Sequence, residues 1–192
     1  MRSRQPIRNQ RRGTDVNSVT GRSGEPADER TRRREQALAD AVAGCEAVLP
    51  GGQAPSPRLV AVIMCGVPGS GKSYLARRVQ PLLQATIVET DQVRRVLFRR
   101  PSYAPAENAW VYRVCHELIA RLLGRGRAVI FDATNLLERS RRDLRRIAES
   151  AQARVVIVHA VAPDAVIRER LLRRQAAADP ANYSEATVAV YE

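Results

Sequence analysis

Lysine is almost missing from this sequence. Of 32 strong bases in 192 residues, one is lysine, Lys72, and the rest are arginine. Acids number only 20, which leaves a formal charge of +12. A chain this basic is drawn to polyanions such as nucleic acid, nucleotides or anionic membrane surfaces. An arginine-rich composition at exposed positions would give the same total without such a partner, and part of the excess lies in the N-terminal stretch. Aromatics are scarce, at 4%. The apolar content comes from Ala, Val, Leu and Ile, which suits helices with parallel strands better than an aromatic-rich β-sandwich.

Cysteines are few and widely spaced. Cys45, Cys65 and Cys115 form no C-x-x-C pair, and only His116 and His159 could add nitrogen ligands. No zinc site follows. Cys65, in an expected buried strand, and Cys115, on an apolar helix face, read as small core residues. The odd count without a disulfide framework fits a reducing cytoplasm. No apolar run reaches the roughly 20 residues of a membrane span. The start carries arginines but no apolar h-region, so it is not a secretory signal. Asp15, Glu25, Asp28 and Glu29 argue against an organelle transit peptide. The expectation is a cytoplasmic protein without membrane contact, and no obligate protein partner is evident.

What is present is concentrated in Leu59–Ser73, LVAVIMCGVPGSGKS. An apolar, β-branched run ends at Gly66, and residues 66–73 then match G-x-x-x-x-G-K-[ST] in full. The match follows an expected strand and opens an expected helix, as its mechanism requires. Gly66, Gly69 and Gly71 let the loop wrap around phosphates with backbone N–H groups pointing inward. The helix N-terminus adds partial positive charge. The expected nucleotide contacts are Gly66, Val67, Pro68, Gly69, Ser70, Gly71, Lys72, Ser73 and Tyr74. Lys72 would reach the β/γ-phosphates, and the Ser73 hydroxyl would bind Mg²⁺. That the sole lysine stands here agrees with the role, since Lys is a compact charge on a flexible stem.

Residues 1–30 have almost no apolar side chains and are expected to be a disordered basic tail. Residues 31–57 read as a helix with a weak apolar stripe (Ala37, Leu38, Ala41, Val42, Cys45, Val48) followed by a Pro/Gly linker. Whether that helix packs on the domain is left open. The folded domain is expected over 58–192. Its strands are expected at 59–65, 85–90, 128–131 and 154–161. Helices are expected from Lys72, over 107–123, over 136–151, and from Pro163 to Ala177. Strands alternating with helices imply right-handed βαβ units and a parallel sheet with helices on both faces. Such sheets bind ligands at the carboxyl ends of their strands. Gly66, Asp91 and Asp132 all fall there.

Asp132 closes a strand and can hold Mg²⁺ opposite Ser73. Asp91, with Arg94 one turn later, can accept the proton of an attacking hydroxyl, while Arg94 can hold an anionic group. The alternative is that Asp91 only caps a helix. Asn135 can position an acceptor or a water, and Arg139, Arg141 and Arg142 follow it. Arg168, Arg170, Arg173 and Arg174 lie on the helix after the fourth strand. Arg170 shares a face with Arg173 or Arg174. An arginine-bearing helix closing over the phosphates would stabilise transferring charge and exclude water. A solvated arginine-rich helix is the alternative.

GVPGSGKS, TDQVR, VIFDATN and ERLLRR occur in that order. The chain thereby resembles the polynucleotide-kinase-like P-loop kinases, a group similar also to zeta-type toxins and gluconate kinases, over about Leu59–Tyr191. The resemblance implies a three-layer α/β P-loop NTPase fold with sheet order 2-3-1-4-5. It implies ATP and Mg²⁺ as cofactors, Asp91 as general base, Arg94 as a substrate or phosphate contact, and Asp132 at the metal. Arg170, Arg173 and Arg174 would supply the lid arginines. The implied activity is transfer of the ATP γ-phosphoryl to an acceptor, either a nucleic-acid 5′-hydroxyl or a small molecule.

One departure is a fifth strand that the sequence lacks. The chain ends within a helix expected after Ser184 and is read as truncated. This gives the expectations of an open edge at the fourth strand, weakened nucleotide affinity and some self-association. The alternative function is a catalytically weak or inactive ATP-binding module. A third reading makes the basic tail the functional part.

Overall fold

The structure, a computed structural model, describes residues 26–49, 55–56 and 58–177. Residues 1–25 of the expected disordered tail, most of the linker and the helix after Ser184 lie outside the described residues; residues 27–30, expected in that tail, instead form the first turn of a helix that runs Ala27–Glu46.

The elements run α1 (Ala27–Glu46), β1 (Val60–Cys65), α2 (Lys72–Leu83), β2 (Thr86–Glu89), α3 (Thr90–Leu97), α4 (Pro105–Gly124), β3 (Val129–Asp132), α5 (Glu138–Ser150), β4 (Arg154–His159) and α6 (Asp164–Ala177). The four strands form one parallel sheet in the order β2-β3-β1-β4. All four expected strands are present. β2 ends at Glu89, so Asp91 stands in the first turn of α3 rather than at a strand tip.

β1 is wholly buried at the centre of the sheet. Successive strand residues face opposite sides, and β1 uses both. Ala61 and Ile63 join Val129, Phe131 and Val88 against Val111, Val114, Cys115, Leu118, Ile119 and Leu122 of α4. Val60, Val62 and Met64 join Ile130 against Ala76, Val79 and Leu83 of α2. Two apolar layers thus cover the two faces, which is the three-layer arrangement. β4 is an edge strand among the described residues, and its side chains are exposed or half-exposed along its length.

The structure settles the place of the N-terminal helix. α1 packs on α4 and α3, its Val42 and Cys45 are buried in the core, and Glu46 pairs with Arg125 just past the end of α4. The two helices therefore end side by side. The stripe was weak in sequence because only these two α1 residues are buried. No helix among the described residues is long and apolar enough to cross a membrane.

Val42 is 0% exposed. Val42→Ala removes two buried carbon groups and is expected to cost about 1–2 kcal/mol. Chemical denaturation checks this: an unchanged midpoint would show that α1 does not dock in solution.

Candidate active site

The loop after β1 is held by close packing. Gly66 has φ 140°, and a Cβ there would stand 2.5 Å from the Ala160 carbonyl oxygen. Only glycine fits. Its N–H donates to Thr134 O at 3.0 Å, which ties the loop to the exit of β3. Gly71 opens α2 in the left-handed region, at φ 104°. The Lys72 ammonium turns back and donates to Val67 O at 2.8 Å, so the lysine arches over the loop. Burial lowers the Lys72 pKa; Asp132 and Asp91 oppose that shift and Arg174 adds to it.

Asp132 ends β3 and is 4% exposed. Burial raises its pKa, and the hydrogen bond with Ser73 and the charge of Lys72 counter the rise. Ser73, Asp132 and Lys72 therefore meet, although they come from the start of α2 and the end of β3. Buried Asp132 Oδ2 and Ser70 Oγ have no hydrogen-bond partner among the described residues. Buried polar groups are normally paired, so these atoms fit a phosphate and a hydrated cation arriving at the loop. No group of three or more His, Cys, Asp or Glu among the described residues could hold a metal ion. Ser73 and Asp132 could hold the cation together with oxygens of the nucleotide itself.

Asp91 lies within electrostatic reach of Lys72 and Glu89. From α6, Arg170 donates to Gly69 O at 3.2 Å. Arg174 acts electrostatically on Lys72 and Glu89. Arg170 and Arg174 share a helix face, and that face meets the loop. Arg173 instead pairs with Glu169 at 2.6 Å in solvent, and Arg168 is exposed.

Three expected site residues are used otherwise. Arg94 does not present an open guanidinium. It is 4% exposed, is paired with Glu107, donates to Asn108 Oδ1 at 2.7 Å and lies 4.4 Å from the centre of the Tyr103 ring. Tyr74 is 66% exposed and bonded to Arg78 one turn along α2, at 3.0 Å. Its side chain stands away from the loop. Asn135 is buried with φ 44° and donates to Met64 O at 2.8 Å. Arg141 caps the carbonyls of Asn135 and Leu136, each at 2.7 Å. These residues brace the β3–α5 loop against the end of β1.

Sequence reasoning missed Glu89. It is the direct neighbour of Asp132 across the β2–β3 ladder and lies 3.7 Å from Arg77. Burial, and then the Asp132 charge, push its pKa up to about 7. The signal was available: Glu89 stands two residues before Asp91, directly after the apolar pair Ile87 and Val88 at the end of the strand. Glu107 was missed too, and its cue was a serine five residues upstream of a glutamate in the first turn of a helix.

This fold and cluster define a P-loop protein of the kinase-like type. Residues 62–192 match the family model of an AAA domain, and the chain belongs to that family. Rv2004c of Mycobacterium tuberculosis, described as uncharacterised, is 33% identical over 121 residues. A protein of Mycobacterium bovis, Mb2027c, matches equally. In both cases the match covers 57% of this chain and 24% of the relative, so the chain spans about a quarter of the curated relatives' length. Among solved structures, the Mycobacterium tuberculosis APS kinase CysC in complex with AMPPNP and APS aligns at TM-score 0.53 and 25% identity, over 65% of this chain and 75% of that one. The Pnkp1/Rnl/Hen1 complex aligns at 0.50 and 25%, over 65% and 41%. The PezAT toxin–antitoxin system of Streptococcus pneumoniae aligns at 0.60 and 18% identity, over 74% and 63%, a likeness of fold.

Glu89 supplies a pH test. Its folded pKa lies above the ordinary carboxylate value, so the folded state holds the proton more tightly. The resulting stabilisation is full below about pH 4.5 and is lost as pH rises through about 7. Glu89→Gln should be more stable than the wild type at pH 8 and should lose less stability between pH 4.5 and 7, by an amount of order 3 kcal/mol. Denaturant melts at a series of pH values measure this. Parallel pH profiles for the two proteins would contradict the assignment.

Proposed function

We propose that the protein is an ATP- and Mg²⁺-dependent phosphotransferase that moves the γ-phosphoryl to an acceptor hydroxyl. One observation carries the reading: Lys72, Ser73, Asp132, Asp91 and Arg170, from separate parts of the chain, gather around one glycine loop at the carboxyl edge of the sheet. A phosphate-binding loop alone supports nucleotide binding. The added carboxylate on the α3 side supports transfer to a second substrate. The likeness to an APS kinase bound to AMPPNP, and to a complex containing Pnkp1, agrees with this class.

In this reading the loop N–H groups and the start of α2 hold the phosphates. The Lys72 ammonium exchanges its bond to Val67 O for phosphate oxygens, a short swing because it already lies over the loop. Ser73 and Asp132 would hold Mg²⁺, which would supply positive charge to the bound phosphates. Asp91 accepts the acceptor's proton as its oxygen attacks in line. Arg170 and Arg174 face the transferring group from α6 and limit access of water. The acceptor is a nucleic-acid 5′-hydroxyl or a small molecule. All three cysteines are free and buried, which agrees with a cytoplasmic setting.

Asp91→Asn keeps the size of the side chain and removes its basicity. It should bind MgATP like the wild type and lower phosphoryl transfer by about 10²–10⁴-fold. Nucleotide binding by calorimetry and turnover by release of ADP test the two halves separately. Transfer at the wild-type rate would remove Asp91 from the mechanism.

A further inference from the structure

The α3–α4 connection, residues 98–104, is built around Glu107. That carboxylate accepts from the Ser102 N–H at 2.7 Å and the Ser102 hydroxyl at 2.6 Å, and from the Tyr103 N–H at 3.2 Å. It also pairs with the Arg94 guanidinium. Burial opposes ionisation, but the bonds from Ser102, Arg94 and Tyr103 outweigh it and hold the group down to about 2. Glu107 is therefore an anion at any working pH.

Arg94 is a cation one turn after Asp91 on α3, and residues three apart share a helix face. Both lie within electrostatic reach of Cys115 on α4. Arg94 and Arg95 both follow Asp91 by one turn; Arg95 is exposed, whereas Arg94 is buried beside the site and already committed. One side-chain nitrogen is on Glu107 and another on Asn108, and the ring of Tyr103 covers its plane. Asn108 is itself fixed, donating to Tyr103 O at 2.9 Å. Turning Arg94 to a phosphate would leave an ionised Glu107 buried without its cation, which is costly. The pair as it stands presents almost no net charge.

We infer that Glu107 determines acceptor class: by neutralising Arg94 it suits the ground beside Asp91 to an uncharged hydroxyl compound, a sugar or a nucleoside, and disfavours an acceptor with a phosphate next to its reacting hydroxyl. This rests on the phosphotransferase reading above. It also separates two properties of the chain. The overall positive charge and the exposed Arg99 and Arg100 attract anions over long distances. The ground beside Asp91 is selected by the local pair.

The test uses the full chain saturated with MgADP and compares adenosine with adenosine 3′-monophosphate by calorimetry. In the wild type the added phosphate should bring no gain in affinity beyond about twofold, whether or not adenosine binds measurably. Glu107→Gln keeps an acceptor oxygen for Ser102, gives up the weaker bond from the Tyr103 N–H and removes the charge, so adenosine 3′-monophosphate should bind about tenfold tighter to it than to the wild type. A tenfold preference for the phosphorylated compound in the wild type overturns the inference, whichever arginine carries it. A folded Glu107→Gln protein with no gain overturns it as well. Should that variant fail to fold, the wild-type comparison decides alone. Failure of MgADP to bind the folded wild type would remove the phosphotransferase reading and the inference with it. MgADP binding together with a phosphate preference would remove the inference alone.

Discussion

Gly66 leaves β1 so close to the exit of β4 that no side chain fits between them, a Cβ there lying 2.5 Å from Ala160 O. The geometry of the site depends on this contact. On the other side, Gly66 is bonded to Thr134, and Asn135 reaches across to Met64 O. Arg141 braces the same loop through the carbonyls of Asn135 and Leu136. The phosphate-binding loop is thus pinned between the ends of β3 and β4. Sites set on rigid elements hold their groups more closely than sites on loops. Here the buried central strand supplies the rigidity.

The same packing makes the site electrostatically dense. Lys72, Asp132 and Glu89 are drawn from α2, β3 and β2 into a partly desolvated space, with Asp91, Arg77 and Arg174 around them. Burial there disfavours the ionised carboxylate, and the Asp132 charge acts more strongly than it would in water, so the Glu89 pKa rises to about 7. α6 closes the arrangement from the side of β4. Its Ile167 and Leu171 approach Gly69, so Arg170 and Arg174 are carried on a helix that is itself packed on the loop.

Much of this was legible in the sequence, and the reasons are physical. The strands, the phosphate loop and Asp132 were readable because each is fixed by local order: an apolar run, then a turn residue at the carboxyl edge. Helical spacing set Arg173 and Arg174 alike beside Arg170; it is the structure that turns Arg170 to Gly69 O and Arg173 to Glu169. Arg94 and Asn135 were assigned to ligands because polar residues next to a site suggest contact with one. Their partners are Glu107, thirteen residues on, and Met64, on another strand, and no local pattern announces such pairs. Tyr74 followed the loop in sequence, but the turn of α2 carries it into solvent. The docking of α1 could not be read because two buried residues are too few to mark a face.

The central claim is that Lys72 and its loop form a working nucleotide phosphate site. The most direct measurement is binding and turnover of MgATP by the wild type and by Lys72→Ala, at a protein concentration low enough to exclude trace contaminants. The account predicts measurable binding and slow turnover in the wild type, with turnover lost and binding weakened in the variant. Equal turnover in the two proteins, with both shown to be folded, would contradict it.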